Sequence, residues 1–211
     1  MDPKVIYLMR HCDESDNPDD PCCNEKGCIR SALLVGLFQN ILKEPPRLLL
    51  APKFGPPCDP SERSSQILVP LSKFYHLPIF GRFCSNQPKE QAKDIIRLPD
   101  CKFPIILAWE HKALTGLVAN LLNYCNPPTI ENYPGDRFDI VFKVTIHDKY
   151  SRLEIFTQNL FPEDPATLPA GYQIFGVGNE IIFPHPKCIY DKTNCEILNK
   201  YSIINPNCTC T

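Results

Sequence analysis

The chain lacks any run of apolar residues long enough to cross a membrane, and it has no marked excess of charge of either sign. Its 22 lysines and arginines nearly balance 24 aspartates and glutamates, which gives a net charge of −2. A nucleic-acid-binding domain usually carries a basic patch, and a membrane-surface segment carries a polybasic cluster. Neither nucleic acid nor a membrane is therefore expected as a partner. An internal repeat and low-complexity blocks are absent too, which argues against a repeat protein.

The N-terminal segment MDPKVIYLMR lacks the features of a secretion signal. A signal peptide needs positive charge followed by a long apolar run, whereas this segment has an aspartate and a proline at its start. We therefore expect a cytoplasmic protein. With 211 residues, of which 43% are hydrophobic, the chain is long enough for one sizeable domain, or for a domain with an extension.

Twelve cysteines are many for a cytoplasmic protein. A secreted disulfide scaffold would be shorter and would carry a secretion signal, so we expect reduced cysteines that pack as small apolar residues. A cluster near the end of the chain could instead bind zinc: His185, Cys188, Cys195, Cys208 and Cys210. Its spacing lacks the Cys-x-x-Cys pairs of familiar zinc sites. The interpretation that we prefer involves no metal and no other cofactor.

Short apolar runs alternate with helical patterns up to about residue 124. Buried strands are predicted over 4–9, 47–51 and 103–110, with a shorter strand near 78–80. Helices are predicted over about 24–42, 61–75, 89–98 and 111–124, with Asn24 and Ser61 as candidate N-caps. This alternation predicts an α/β fold, a three-layer sandwich in which helices flank a mainly parallel central sheet.

The remaining segments complete the predicted organisation. The first helix is expected to bury the apolar face formed by Ile29, Leu33, Leu37 and Ile41. The alternating segment FDIVFKVTI, together with RLEIFTQ at 152–158, predicts a β-hairpin at the sheet edge. Prolines and asparagines dominate after residue 160. We therefore divide the chain into an α/β domain over 1–158 and an irregular C-terminal extension over 159–211 that packs on it.

Ionisable side chains stand at three junctions between a predicted strand and the helix that follows. Arg10 and His11 follow the first strand, Glu110 and His111 follow the strand at 103–110, and Arg63 lies early in a helix. Ligands of such sheets bind beyond the C-terminal ends of the strands, so these residues could converge. Two guanidiniums suit the oxygens of a phosphoryl group. A neutral histidine could attack phosphorus while the other donates to an oxygen, without a metal.

Five segments, in order along the chain, resemble the motifs of one family. YLMRHCDE is similar to an RHG signature, and CNEKGCIRSALL is similar to a glycine-centred start of a first helix. SERSSQILVPL and LAWEHKALTGLVANL resemble segments that carry a second arginine and a second histidine. YPGDRFDIVFKV resembles a late strand. The family is the histidine phosphatase superfamily, with a phosphoglycerate-mutase-like fold, and the resemblance spans residues 4 to about 145.

The resemblance implies a metal-independent phosphatase of the histidine acid phosphatase type, which hydrolyses phosphomonoesters through a phosphohistidine intermediate. It implies that His11 is the nucleophile and that Arg10, Arg63 and His111 form the phosphate pocket. A mutase is less favoured, because the segment between the second arginine and the second histidine is short. The expected partner is a small phosphorylated substrate or a phosphoprotein.

The resemblance also implies roles for acidic residues. Asp13 matches an acid that often follows the signature, and it is expected to orient the loop or the nucleophile and to contribute to substrate binding. Glu90 lies at a mutase-like distance after Arg63 and is the expected general acid, with Glu110 and Asp13 as alternatives. The loops at 15–23, 52–60 and 82–90 are expected to determine specificity.

Two residues depart from the family pattern. Cys12 replaces the usual glycine, and Lys112 follows the second histidine where a small residue is commoner. Cys12 paired with His11 is an alternative nucleophile, although adjacent residues at a strand end usually point apart. A further alternative is a phosphate-binding or scaffolding member of the same fold with weak or absent turnover.

Overall fold

A computed structural model describes residues 2–17, 19–176, 181–184 and 201–208. Within these ranges, eight strands form one sheet. The strands are β1 (Lys4–Arg10), β2 (Leu48–Leu50), β3 (Ile79–Gly81), β4 (Ile105–Trp109), β5 (Ile140–Ile146), β6 (Tyr150–Thr157), β7 (Ile181–Pro184) and β8 (Ser202–Ile203). The described residues contain no helix long and apolar enough to span a membrane.

The strand order is β7-β6-β5-β1-β4-β2-β3-β8. The four adjacent strands β1, β4, β2 and β3 run parallel, as predicted. Antiparallel strands extend this parallel centre on both sides, and β5 and β6 form the predicted hairpin. Its predicted place at the sheet edge is wrong, because β7 pairs with the outer side of β6. Because β1, β2 and β4 are parallel, their C-terminal ends meet at one edge of the sheet, where the ionisable residues were expected to converge.

Helices cover both faces of the sheet. They are α1 (Glu25–Gly36), α2 (Arg63–Gln66), α3 (Val69–Tyr75), α4 (Pro88–Arg97) and α5 (His111–Leu122). One hydrophobic core lies between the sheet and α4 with α5, and a second lies between the opposite face and α1 with α3. The protein thus has a mixed α/β fold with helices on both sides. The more detailed phosphoglycerate-mutase-like description of this sandwich stays a prediction.

Capping and proline chemistry set the helix boundaries. The Asn24 side chain accepts a hydrogen bond from the Gly27 amide at 2.8 Å, so the predicted cap of α1 is confirmed. The predicted cap at Ser61 is wrong, because its hydroxyl accepts a bond from Arg63 Nε instead. The single helix predicted over 61–75 is interrupted between α2 and α3. Pro70 lies in the first turn of α3, where its missing amide hydrogen is tolerated.

The apolar face predicted for the first helix is wrong except at Leu37, which is buried. Ile29, Leu33 and Ile41 are 47%, 40% and 69% exposed, whereas Leu34 is fully buried. The helix turns a different face inward because Gly27 packs directly against the loop after β1. A Cβ atom at Gly27 would lie only 2.6 Å from the backbone oxygen of Asp13.

The described part of the C-terminal extension belongs to the sheet and the cores. Strands β7 and β8 pair with β6 and β3, and Tyr172, Tyr201 and Ile204 are buried. The extension is therefore not irregular throughout. The division of the chain at residue 158 stays a prediction.

The prediction of reduced cysteines is wrong for most of the described ones. Cys28 and Cys125 are disulfide-bonded, and Cys101 is free and exposed. Three further disulfides have both partners described: Cys12–Cys23, Cys22–Cys208 and Cys58–Cys84. The pairings join residues 11, 186 and 26 positions apart, so tertiary proximity brings the thiols together rather than any local motif.

Candidate active site

His11 lies immediately after β1, with its backbone amide bonded to the Trp109 carbonyl at 3.1 Å. Its ring nitrogen Nδ1 lies 2.9 Å from the Cys12 carbonyl oxygen. A carbonyl only accepts hydrogen bonds, so Nδ1 carries the proton and Nε2 keeps its lone pair. The Arg10 Nε group lies 3.5 Å from this Nε2 atom. The side chain is therefore held in the tautomer that leaves Nε2 as the basic nitrogen.

Burial keeps the His11 imidazole neutral. The residue is only 5% exposed. Burial first, and the adjacent Arg10 cation second, lower the pKa of His11 from its ordinary value of 6.5 to about 3. A neutral imidazole at physiological pH has a free lone pair and can act as a nucleophile.

Arg10 lies behind this histidine and is almost wholly buried. Its Nη1 atom donates to the carbonyls of Gly135 and Arg137, at 2.6 Å and 3.1 Å. Its guanidinium carbon lies 3.8 Å from the centroid of the Phe138 ring, a stacked cation–π contact. Burial lowers the pKa of Arg10, but a guanidinium stays charged in proteins. The loop before β5 thus fixes Arg10 and leaves its Nη2 group directed at Glu14.

Arg63 begins α2 and lies on the other side of the same carboxylate. Its Nη1 atom donates to Glu14 Oε2 at 2.6 Å, while Arg10 Nη2 donates to Glu14 Oε1 at 3.1 Å. The Ser61 hydroxyl accepts from Arg63 Nε at 3.0 Å and so limits the rotation of the guanidinium. The two predicted arginines therefore converge, and an internal carboxylate bridges them.

His111 is the first residue of α5, and its ring centroid lies 6.0 Å from that of His11. Its Nδ1 atom is 3.0 Å from Glu110 Oε1, although the angles are not those of a hydrogen bond. The other carboxylate oxygen of Glu110 accepts from the Ala113 amide at 3.2 Å and caps the helix. Burial, followed by the Arg10 charge, lowers the pKa of His111. Both histidines thus favour the neutral form.

A cavity of about 380 Å³ opens at this edge of the sheet. His11, Arg63 and His111 line it, while Arg10 lies behind the wall and reaches it through its contact with Glu14. Residues of the three loops expected to determine specificity also line the cavity: Ser15, Asp16, Pro52, Lys53, Asp59 and Ser85. The four residues predicted as nucleophile and phosphate pocket therefore meet around one cavity.

Glu90, the expected general acid, does not line this cavity. It lies exposed in the first turn of α4, whose inward residues are Gln91, Ala92, Ile95 and Ile96. The cavity lining therefore gives no support to Glu90 as the general acid. The sequence distance from Arg63 was the reason for choosing Glu90, and that distance does not determine the direction of a side chain on a helix.

Asp13 does not line the cavity either, so the structure does not support a substrate-binding role. Its carboxylate binds Arg30 in a bidentate ion pair, with bonds of 2.7 Å and 3.3 Å. Arg30 also binds Asp164 through two bonds of 2.9 Å. Burial alone would lower the pKa of Arg30, but its bonds to the two carboxylates raise it. Asp13 thus links the loop after β1 to α1, and its expected role in orienting that loop or His11 stays a prediction.

Two residues that shape the site were not predicted. Glu14 bridges the two arginines, and the only sequence signal for it was an acid four residues after Arg10, a spacing that suits a local ion pair. Arg30 is only 1% exposed. Its partner Asp164 lies 134 residues away, so no local pattern could indicate the pair.

Disulfides reinforce the loops around the cavity. The Cys12–Cys23 bond joins the residue after His11 to the start of α1, so Cys12 is not available as a thiol nucleophile. The Cys58–Cys84 bond joins two of the loops that line the cavity. The Cys22–Cys208 bond joins the loop after β1 to the C-terminal extension, where the Glu62 carboxylate also accepts from the Cys208 amide at 2.9 Å.

The zinc cluster considered for the end of the chain loses Cys208, because a disulfide sulfur is not a thiolate ligand. The other four candidates, His185, Cys188, Cys195 and Cys210, lie outside the described residues. Within the described ranges, no group of three or more potential metal-binding side chains comes together.

No protein-family model matches the chain, and no curated protein is similar to it at a significant level. Among solved structures, the chain is similar to a protein from Nakamurella multipartitia that is provisionally named the phosphohistidine phosphatase SixA. The two sequences are 11% identical, and the match covers 69% of this chain and 86% of that chain, with a TM-score of 0.45. The function has to be inferred from the site itself.

Proposed function

We propose that this protein is a metal-independent phosphohydrolase that cleaves phosphomonoesters through a phosphohistidine intermediate on His11. One observation carries the proposal. His11 lies in the cavity as a neutral imidazole whose Nδ1–H group donates a hydrogen bond to the Cys12 carbonyl. The cations Arg10 and Arg63 converge beside it. This arrangement supplies both a nucleophilic nitrogen and a positive environment for phosphoryl oxygens.

In the first step, the Nε2 lone pair of His11 forms a bond to phosphorus as the bond from phosphorus to the ester oxygen breaks. The Nδ1 proton stays on the ring and keeps its hydrogen bond to the Cys12 carbonyl oxygen, which stabilises the positive charge that develops on the ring. Arg10 and Arg63 stabilise the charge on the phosphoryl oxygens, and His111 donates a hydrogen bond to one of them.

In the second step, a water molecule attacks the phosphohistidine. A bond from the water oxygen to phosphorus forms, the phosphorus–nitrogen bond breaks, and the electron pair returns to Nε2. Inorganic phosphate leaves, and His11 is again neutral. The water proton is lost to the phosphate or to solvent, so the net reaction is hydrolysis of one ester bond.

The leaving oxygen is protonated by solvent in this proposal. Glu90 does not line the cavity, and Glu110, which does line it, accepts a hydrogen bond from the Ala113 amide and caps α5. The partner that we propose is a phosphorylated small molecule or a phosphorylated side chain, because a cavity of about 380 Å³ admits a group of that size.

The test compares wild type with His11→Asn in hydrolysis of p-nitrophenyl phosphate, with and without a chelator. His76→Asn is the matched control, because His76 is exposed, lies outside the cavity and has a φ of 53°, which asparagine also adopts. We expect His11→Asn to abolish turnover, His76→Asn to retain it, and the chelator to have no effect.

A second measurement tests the intermediate. Wild-type protein quenched in alkali during turnover should carry one phosphoryl group on the peptide that contains His11, as read by mass spectrometry. A protein that binds phosphate but hydrolyses no phosphoester would instead be the phosphate-binding alternative. Turnover that survives in His11→Asn would overturn the proposed nucleophile.

A further inference from the structure

The carboxylate of Glu14 lies between the two guanidiniums that the proposed reaction needs for the substrate. Arg10 Nη2 and Arg63 Nη1 donate to its two oxygens at 3.1 Å and 2.6 Å. A carboxylate and a phosphoryl group present oxygens of similar spacing and charge to a guanidinium, and both are bound by the same forked contacts. The substrate and Glu14 therefore require the same donors.

The backbone and the side chain of Glu14 differ in how they are held. The backbone pairs with Cys23 in a β-bridge, and its carbonyl accepts from Asn24 Nδ2 at 2.9 Å. The side chain is 38% exposed and lines the cavity. Rotation of the side chain alone can therefore move the carboxylate into solvent without any change in the loop.

The two arginines cannot move away from the substrate position as easily. Arg10 is fixed by the Gly135 and Arg137 carbonyls and by the Phe138 ring, and Arg63 is held by the Ser61 hydroxyl. When an anion enters, the exposed carboxylate is the component that is free to leave. The donors stay in place and exchange one anion for another.

We propose that Glu14 is an internal competitor that occupies the phosphate subsite in the resting protein, and that a phosphorylated substrate must displace it. The proposal rests on the proposed function for the identity of the subsite. A dianionic phosphoryl group balances the two guanidinium charges, whereas the single negative charge of Glu14 leaves one of them unbalanced. Displacement by a dianion is therefore electrostatically favourable. Competition from Glu14 lowers the affinity of the protein for its phosphorylated substrate.

The first experiment measures the binding of inorganic phosphate by titration calorimetry to wild type, Glu14→Gln and Asp16→Asn. Asp16 also lines the cavity and, in the described part of the chain, forms no ion pair with Arg10 or Arg63. Each variant removes one negative charge, so a weaker repulsion of phosphate at the cavity mouth would affect both variants. Competition for the arginines predicts a Kd lowered about tenfold in Glu14→Gln and little changed in Asp16→Asn.

The second experiment places Glu14→Gln in an Arg63→Met background. If the gain in affinity comes from freeing the arginine, Glu14→Gln should give a much smaller gain when Arg63 is absent. A general loosening of the loop would give the same gain in both backgrounds. In turnover of p-nitrophenyl phosphate, Glu14→Gln should lower KM by a similar factor while kcat stays within about threefold.

The outcomes separate this inference from the proposed function. Turnover by wild type with an unchanged or weakened phosphate affinity in Glu14→Gln would overturn the competitor role and leave the phosphatase intact. Tighter phosphate binding in Glu14→Gln without turnover in any variant would support the competitor role and overturn the phosphatase. Equal gains in phosphate affinity in Glu14→Gln and Asp16→Asn would show that only the lost repulsion between a carboxylate and phosphate matters. That result would overturn the inference.

Discussion

The imidazole rings of His11 and His111 lie edge to face, with their centroids 6.0 Å apart and their planes at 66°. One ring follows β1 and the other begins α5, and the pairing of β1 with β4 brings the two positions together. Arg10 pairs with Trp109 at the last position of this register, so each histidine is within two residues of the same point on the sheet edge. A short parallel ladder thus assembles the centre of the site.

His111→Gln tests the second histidine as the donor to the phosphoryl group. We expect kcat to fall by roughly 10²–10³-fold, as for the loss of one transition-state donor, with a much smaller change in KM. His76→Gln is the control. Steady-state kinetics on p-nitrophenyl phosphate measures both constants, and an unchanged kcat in His111→Gln would remove this residue from the mechanism.

The low pKa of His11 predicts how stability depends on pH. The folded protein resists protonation of this imidazole down to a pH of about 3, whereas the unfolded chain takes up the proton near 6.5. The unfolded state therefore binds more protons between these values, and the free energy of unfolding falls as the pH falls through this window. Above about pH 6.5 the contribution of His11 is constant.

Urea unfolding at several pH values between 4 and 8 measures this dependence. The difference between wild type and His11→Asn isolates the contribution of His11, because other titrating groups are common to both proteins. We expect the wild type to lose more stability than the variant on acidification. Parallel curves for the two proteins would show that the pKa of His11 is not lowered.

The disulfides are expected to raise the free energy of unfolding. The Cys22–Cys208 bond spans 186 residues of sequence, and loss of such a bond in the double variant Cys22→Ser/Cys208→Ser should cost about 2–4 kcal/mol of unfolding free energy. Cys101→Ser should leave stability unchanged, because Cys101 is free and exposed. Urea unfolding of the non-reduced proteins provides the comparison.

The same bonds bear on the compartment in which the protein folds. Disulfides persist in oxidising compartments and are rare in the cytosol, so we propose an oxidising compartment in place of the expected cytoplasmic location. Thiol labelling of the protein taken from its native source, without reductant, checks this. Complete labelling of the cysteines at positions 12, 22, 23, 58, 84 and 208 would contradict both the pairing and the proposed location.

Arg30→Met tests the buried ion-pair network. The substitution leaves the carboxylates of Asp13 and Asp164 without their shared cation, and we expect a loss of about 3–5 kcal/mol in unfolding free energy. Arg47→Met is the control, because Arg47 is exposed. Adding Asp164→Asn to Arg30→Met should recover part of the loss, and additive losses from the two changes would show that the residues do not interact.

The success of the sequence predictions depended on how local the signal was. The buried run from Ile6 to Met9 and the Asn24 cap each depend on a few neighbouring residues, and both were predicted correctly. The predicted face of α1 was wrong because a helix has several apolar residues, and its contacts with the rest of the fold decide which of them turn inward. Gly27 and the buried Arg30 settle that choice here.

The order of strands and helices could be predicted from the residues alone. With it came the positions of Arg10, His11 and His111 next to the ends of parallel strands, and of Arg63 early in a helix. That follows because apolar runs and helix starts are short-range features, and parallel strands end at one edge of the sheet. The three-dimensional structure was needed to show that Glu14 bridges the two arginines, that Glu90 does not line the cavity, and which cysteines pair. Those contacts depend on side-chain direction and on residues far apart along the chain, which the order of residues does not specify locally.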